Sequence, residues 1–353
     1  MRYPAFLKEG GRIGLVAPSF GCATEPYISR LARAMKKLKK KGFELVEGPN
    51  IHEGKGIGKS NLPELCGLEI NRFFTEDNCD VILSVGGGET MCEDLEFVDF
   101  ESIRLAPAKW YMGYSDNTNL TFTLPVLCDT AAIYGINAPD FGMKPWHKSV
   151  KDHMALLQGK KLSFTNYKKW EMHGWRSEDP SLGYHVTEPF DMQIYVDEAL
   201  FHHVHKEVRF SGRLIGGCLD VLVLLCGTPF GDMEAFLEKY KEDGFIWFLE
   251  SCDLNPMAVR RAIWQLKNAG WLKYCNGFLI GRSLHLDEVM MGETCLSAYI
   301  DCLKEFNVPI LLDLDIGHKS PRMPMLSGAY ARVNAETMGE KKKDRFCITY
   351  ELH

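Results

Sequence analysis

The first 140 residues contain a repeated alternation that leaves few folds open. Short, continuously apolar runs are separated by stretches with helical periodicity. "RIGLVAPS" (Arg12–Ser19) is an apolar run that breaks at Pro and Ser, as a buried strand entering a loop does. "YISRLARAMKKLKKKGF" follows, with Ile28, Leu31, Met35 and Leu38 at helical spacing and Gly42 as the stop. "FELVEG", the helical stretch "NLPELCGLEINRFFTEDNC" and "DVILSVGGG" continue the alternation. Strand, helix, strand, helix, strand predicts a doubly wound α/β domain, and the lack of alternation within the runs predicts parallel strands buried on both faces. Sites in such sheets lie at the carboxyl ends of strands. Two polar segments fall there, "GGGET" and "GYSDN".

At 353 residues the chain is long enough for two domains. The pattern breaks down between Lys144 and Arg209, a polar segment with Trp146, Trp170 and Trp175 that reads as a folded insertion or substrate lobe. A second apolar region opens with "GRLIGGCLDVLVLLCGTPF" and runs through "GFIWFLES", the helix "NPMAVRRAIWQLKNAGWL" and "CNGFLIGR". A strand pair around the solvated turn "GEKKKDR" closes the chain. The expected division is residues 1–143 for the N-terminal domain, 144–210 for the insertion and 211–353 for a C-terminal α/β domain.

A net charge of −6 argues against general nucleic-acid or membrane-surface binding, which needs a basic footprint. Twelve scattered cysteines without any C-x-x-C read as reduced thiols. With no signal-peptide pattern and no apolar run of spanning length, the expected location is cytoplasmic.

Four positions could carry chemistry. Ser115 in "GYSDN" follows an apolar run, with Gly113 before it. A nucleophile elbow places a serine this way, on a tight strand-to-helix turn. Asn117 stands where the usual elbow has glycine, and asparagine tolerates the left-handed region. The same sequence equally describes a serine capping the next helix. Gly86–Gly88 offer backbone N–H groups to an oxyanion or carboxylate, or simply make a turn. A dinucleotide loop is a poor reading, since Met91 occupies the third glycine position. Glu250 ends the strand "FIWFLE" as a desolvated carboxylate, or as a helix cap or a salt-bridged residue before the helix at Pro256. His318 lies in the Gly- and Pro-containing turn "GHKSP", where an imidazole is positioned to act as a base. "HHVH" (His202–His205) invites a metal reading, but no neighbouring carboxylate or cysteine completes a site, so no metal or cofactor is expected.

In this order, "VAPS", "SVGGGET", "GYSDNT", "GRLIGGCLDVL", "FLE" and "GHKSPRMPMLSG" resemble the LD-carboxypeptidase family of serine peptidases. The family includes muramoyl-tetrapeptide carboxypeptidases and microcin C self-immunity peptidases. The resemblance runs from about Arg12 to Val333 and is weakest over Met143–Phe210. It implies a flavodoxin-like N-terminal domain, a metal-free Ser–His–Glu triad of Ser115, His318 and Glu250, and oxyanion donors at Gly87, Gly88 and Asp116. Many members are homodimers, which implies the same here. Two departures stand out. Cys218 replaces the asparagine of a "GGN" segment. "GGGET" is similar to the "GG-x-N-S" loop of the immunity branch, with Glu89 in place of asparagine. The implied substrate is a peptide conjugate such as an aminoacyl nucleotide, with Glu89 in the loop as a contact and Trp170 or Trp175 either stacking on a base or only packing the insertion. The alternatives are a murein tetrapeptide ending in D-alanine, or a binding protein that has kept the fold without the activity.

Overall fold

The computed structural model describes residues 1–174, 177, 179–339 and 342–353. It divides into two compact units, and the chain passes between them more than once. One unit holds residues 1–161 and 173–185, the other residues 162–172 and 186–353.

The N-terminal unit is built on β1 (Arg12–Val16), β2 (Glu44–Glu47), β3 (Val81–Ser84), β4 (Trp110–Gly113) and β5 (Ala132–Tyr134). All pair in parallel, in the order β2-β1-β3-β4-β5. This is the flavodoxin-like arrangement. Every residue of β3 and β4 is buried, as their continuous apolar sequences require. Helices α1 (Tyr27–Lys40), α2 (Pro63–Thr75), α3 (Phe100–Leu105), α4 (Thr118–Cys128) and α5 (Lys148–Leu157) connect and cover the strands. On α1 the buried stripe is Leu31, Ala34 and Leu38; Ile28, one turn earlier, stays 39% exposed. Gly42 takes φ +93 just past the end of α1, the conformation that lets a helix stop there.

The C-terminal unit contains β6 (Ser163–Thr165), β7 (Lys169–Trp170), β8 (Glu188–Pro189), β9 (Gln193–Val196), β10 (Ala199–Phe201), β11 (Lys206–Cys218), β12 (Phe245–Glu250), β13 (Cys275–Gly281), β14 (Ile310–Leu314), β15 (Met325–Ser327), β16 (Tyr330–Thr337) and β17 (Arg345–Glu351). Its main sheet runs β10-β9-β14-β13-β12-β11-β16-β17-β6. The four central strands, β14-β13-β12-β11, are parallel, and antiparallel strands flank them on both sides. Helices α6 (Leu219–Leu225), α7 (Glu234–Tyr240), α8 (Pro256–Asn268) and α9 (Cys295–Leu303) complete it. Strand β12 is buried throughout, so its last residue, Glu250, is delivered to the carboxyl end of the sheet without contact with solvent.

Residues 144–210 are shared. They supply α5 to the first unit, and β6–β10 with the start of β11 to the second. Among the described residues no disulfide joins any cysteine, and no helix is long and apolar enough to cross a membrane.

Candidate active site

In the N-terminal unit, three loops at the carboxyl ends of β1, β3 and β4 are tied into one structure around Ser115. Ser115 stands one residue, Tyr114, beyond the end of β4 and takes φ +65. That conformation is costly for a residue with a side chain and is found where surrounding contacts enforce it. The contacts can be named. The Ser115 N–H donates to Tyr134 Oη at 3.1 Å. Asn117 Nδ2 donates to Gly86 O at 2.8 Å and to Tyr114 O at 3.0 Å, while Asn117 Oδ1 accepts from Tyr111 Oη. Asn117 itself is right-handed, φ −63 and ψ −7. The expected tolerance of asparagine for the left-handed region is therefore not what it supplies. Its amide braces the glycine loop against the turn. Gly113 is glycine because a Cβ there would stand 2.6 Å from Asn117 Cγ.

Neither N-cap residue, Tyr114 for the short 3-10 turn Ser115–Asn117 and Asn117 for α4, makes a side-chain capping bond. Gly87 lies against the serine, and a Cβ built on it would be 3.3 Å from Ser115 Oγ. Gly88 packs beside Gly58 O, and Glu89 is exposed with its N–H on Gly58 O at 3.0 Å.

The carboxylate of Asp116, 3% exposed, links the three loops. It accepts from Ser19 Oγ at 2.6 Å, from the Met91 N–H at 3.0 Å and from Asn119 Nδ2 at 3.0 Å. Burial pushes this carboxyl above its ordinary range, and the bonds from Ser19 and Met91 pull it back. Sequence reading singled out Asp116 for its backbone only and missed Ser19. The one available signal was Ser19's place at the end of "VAPS".

In the C-terminal unit, His318 Nδ1 and Glu250 Oε2 are 2.8 Å apart, and Glu250 is fully buried. The capping alternative for Glu250 is excluded, because Asn255 caps α8 through the Ala258 N–H at 3.0 Å. Gly317 takes φ +89, and a Cβ there would stand 2.5 Å from the Glu250 carboxyl carbon. The turn bearing His318 thus passes directly over the carboxylate, and only glycine fits. Arg322 Nε donates to Gly317 O at 2.9 Å and holds the turn from below. Burial lowers the His318 pKa, but the charge and hydrogen bond of Glu250 outweigh it, and the imidazole ends above its ordinary 6.5.

Cys218, the departure from the family's asparagine, pairs in register with Glu250 across β11 and β12. Its thiol is pushed well above the ordinary range by burial, with Glu250 and Asp220 adding to the shift. It stays protonated, donating to Asp220 Oδ2 at 3.4 Å, and is not a second nucleophile. Asp220 accepts from the Cys252 and Asp253 N–H groups at 3.0 and 2.8 Å and pins the loop that leaves Glu250.

Trp170 is 9% exposed, and the Arg282 guanidinium lies 4.8 Å from its ring centre. Trp175 lies outside the described residues. Asp191, eleven positions before His202, supplies the carboxylate that the HHVH segment lacked in sequence.

Two family models match the chain. The LD-carboxypeptidase N-terminal domain covers residues 13–135, and the LD-carboxypeptidase C-terminal domain covers residues 211–333. A Vibrio cholerae protein named as a carboxypeptidase is 25% identical over 98% of this chain and 99% of its own. The Escherichia coli microcin C7 self-immunity protein MccF is 23% identical over 97% and 96%. The structure of MccF in complex with aspartyl sulfamoyl adenosine superposes with a TM-score of 0.77 at 21% identity, covering 100% and 99% of the two chains. That of the muramoyltetrapeptide carboxypeptidase from Oxalobacter formigenes superposes with a TM-score of 0.67 at 19% identity, covering 96% and 98%. The chain therefore belongs to the LD-carboxypeptidase family and is a serine-type carboxypeptidase.

Proposed function

We propose that Ser115, His318 and Glu250 work as one triad in this enzyme. His318 Nε2 takes the Ser115 proton as Oγ attacks the carbonyl of the scissile amide. The imidazolium then gives that proton to the leaving amine, and water, activated by the same imidazole, releases the acyl group. Glu250 holds the ring in the tautomer that keeps its Nδ1 protonated and stabilises the imidazolium. Backbone N–H groups near Gly87, Gly88 and Asp116 hold the oxyanion, each good for about 3–4 kcal/mol in the transition state. The observation that carries this reading is the buried His318–Glu250 pair at 2.8 Å. A carboxylate with no exposure, under a glycine turn shaped to it, has no capping duty to explain it. Ser115→Ala should lose about 10⁴- to 10⁶-fold in kcat with the fold intact. Retained activity would remove Ser115 from the mechanism.

The substrate we propose is a small peptide conjugate of the aminoacyl-nucleotide type. This rests on the likeness to MccF, whose structure contains aspartyl sulfamoyl adenosine. Glu89, exposed on the loop beside Ser115, is assigned to substrate contact, and Trp170, covered by Arg282, to packing. The likeness to a muramoyltetrapeptide carboxypeptidase supports a second reading, release of terminal D-alanine from a murein tetrapeptide. Incubation with both substrates, followed by mass spectrometry, separates them. The aminoacyl conjugate should be cleaved; D-alanine release alone would establish the second reading. A homodimer in the cytoplasm fits either case, and light scattering on the eluted protein tests the assembly.

A further inference from the structure

Three side chains with metal-ligating atoms meet in the C-terminal unit, away from Glu250 and His318 in the chain. Asp191 precedes β9, and His202 and His203 follow β10. The two strands pair antiparallel, with Phe201 opposite Ile194, so the residues before one and after the other arrive at the same end of the hairpin. His202 Nε2 stands 2.9 Å from Asp191 Oδ2, and His203 Nε2 stands 3.8 Å from the same oxygen. Consecutive residues in an extended strand point to opposite faces. His203 escapes that rule with φ +55, and the two rings lie side by side with centres 3.7 Å apart.

The spacing suits an ion. One donor atom from each of the three residues lies within 4.8 Å of the others. Two ligands about 2.0–2.1 Å from a tetrahedral zinc sit about 3.3 Å from each other. The observed 2.9 and 3.8 Å fall on either side of that value. Two more carboxylates act on the cluster: Asp313, which interacts electrostatically with Asp191 and His202, and Asp344, which interacts with Asp191 and His203. Arg282 offsets part of that field at Asp313. Asp313 also takes φ +63 within β14, a strained conformation for a strand residue.

We propose that Asp191, His202 and His203 bind a first-row transition metal of the Zn²⁺ class. Two imidazoles and one carboxylate form a borderline nitrogen and oxygen set, suited to Zn²⁺, Co²⁺ or Ni²⁺ and not to Ca²⁺ or Mg²⁺. Three protein ligands leave one position for water. Asp191 and Gln193 also line a cavity of about 290 Å³ with Trp170, Arg282 and Asp313. An ion on Asp191 fixes one wall of that cavity.

The test uses the full-length protein, stripped with a chelator and dialysed. Zn²⁺ binding is followed by calorimetry, and Co²⁺ binding by visible absorption. The expected result is one saturable site per chain, a cobalt d–d spectrum of low coordination number and no thiolate charge-transfer band. His202→Ala, His203→Ala and Asp191→Asn should each weaken binding by more than the about 10-fold that losing a merely supporting partner costs, with circular dichroism and melting temperature unchanged. Binding no tighter than about 100 μM would overturn the proposal. So would binding that survives the His202→Ala, His203→Ala double variant. A thiolate band abolished by Cys218→Ala would place the ion instead at Cys218, Glu250 and His318, the other cluster with suitable spacing among the described residues.

Discussion

At the scale of single residues, the electrostatics of His318 give the sharpest prediction. Its pKa lies above 6.5 because Glu250 outweighs the effect of burial. In the proposed triad His318 must be neutral to act as base, so activity should be lost as pH falls through that raised value, and the acid limb of kcat/KM should lie above 6.5. Glu250→Gln removes the charge that raises it. The limb should move to lower pH, and kcat should fall about 10⁴-fold because the wrong tautomer becomes available. A full activity loss with an unmoved limb would mean that Glu250 acts structurally and not through the imidazole. Gly317 tests the same pair mechanically. Gly317→Ala combines a left-handed φ of +89 with a Cβ 2.5 Å from the Glu250 carboxyl carbon. It should cost about 1–3 kcal/mol in urea unfolding and most of the activity. The apolar runs placed Glu250 at a strand end and His318 in the turn after a strand, but either alone read equally as structural, and only the family resemblance implied that the two form a pair. The positive φ of Ser115 was not legible, because turn composition does not say which residue of the turn takes the strain.

At the scale of elements, the loops after β1, β3 and β4 behave as one piece. Asn117 joins the glycine loop to the serine turn through Gly86 O and fills the acceptor need of Tyr111 Oη. Asn117→Ala takes this partner from a fully buried phenol and from two carbonyls, Gly86 O and Tyr114 O. The expected cost is about 1–3 kcal/mol in stability. Because the glycine loop then shifts relative to Ser115, single-turnover acylation should slow by more than KM rises. Equal losses in both would show that Asn117 supports binding and not the oxyanion geometry. The strands themselves were readable from continuous burial. The Ser19–Asp116 bond, between residues 97 positions apart, was not, because no periodicity marks a contact between two loops. The same holds for Asp191, which the β9–β10 hairpin brings to His202. Read linearly, HHVH had no carboxylate.

At the scale of the whole molecule, the polar stretch from Lys144 hides a structural obligation. Strand-and-helix alternation fades at Met143, yet α5 (Lys148–Leu157) belongs to the N-terminal unit. It buries Val150, Met154, Leu156 and Leu157, each at most 6% exposed. His153 Nε2 accepts from the Ile136 N–H at 3.2 Å, and Leu157 O accepts from the Leu7 N–H at 2.8 Å, so the helix is bonded to both ends of the preceding sequence. The helix is hard to read because its solvent face is lysine-rich and its first turn follows a Pro-Trp-His segment. At about 1.5–3 kcal/mol per buried side chain, its four apolar residues contribute about 6–12 kcal/mol. Ordering the helix opposes much of that gross gain, but the margin it leaves matters against a net domain stability of only about 5–15 kcal/mol. A fragment ending at residue 143 should therefore show no cooperative urea transition by circular dichroism, whereas one ending at residue 161 should recover a sigmoidal transition. If both fragments unfold with the same midpoint, α5 is dispensable and the N-terminal core ends where the sequence alternation does. If neither unfolds cooperatively, residues 173–185 are needed as well, and the unit depends on chain that returns to it after leaving for the other.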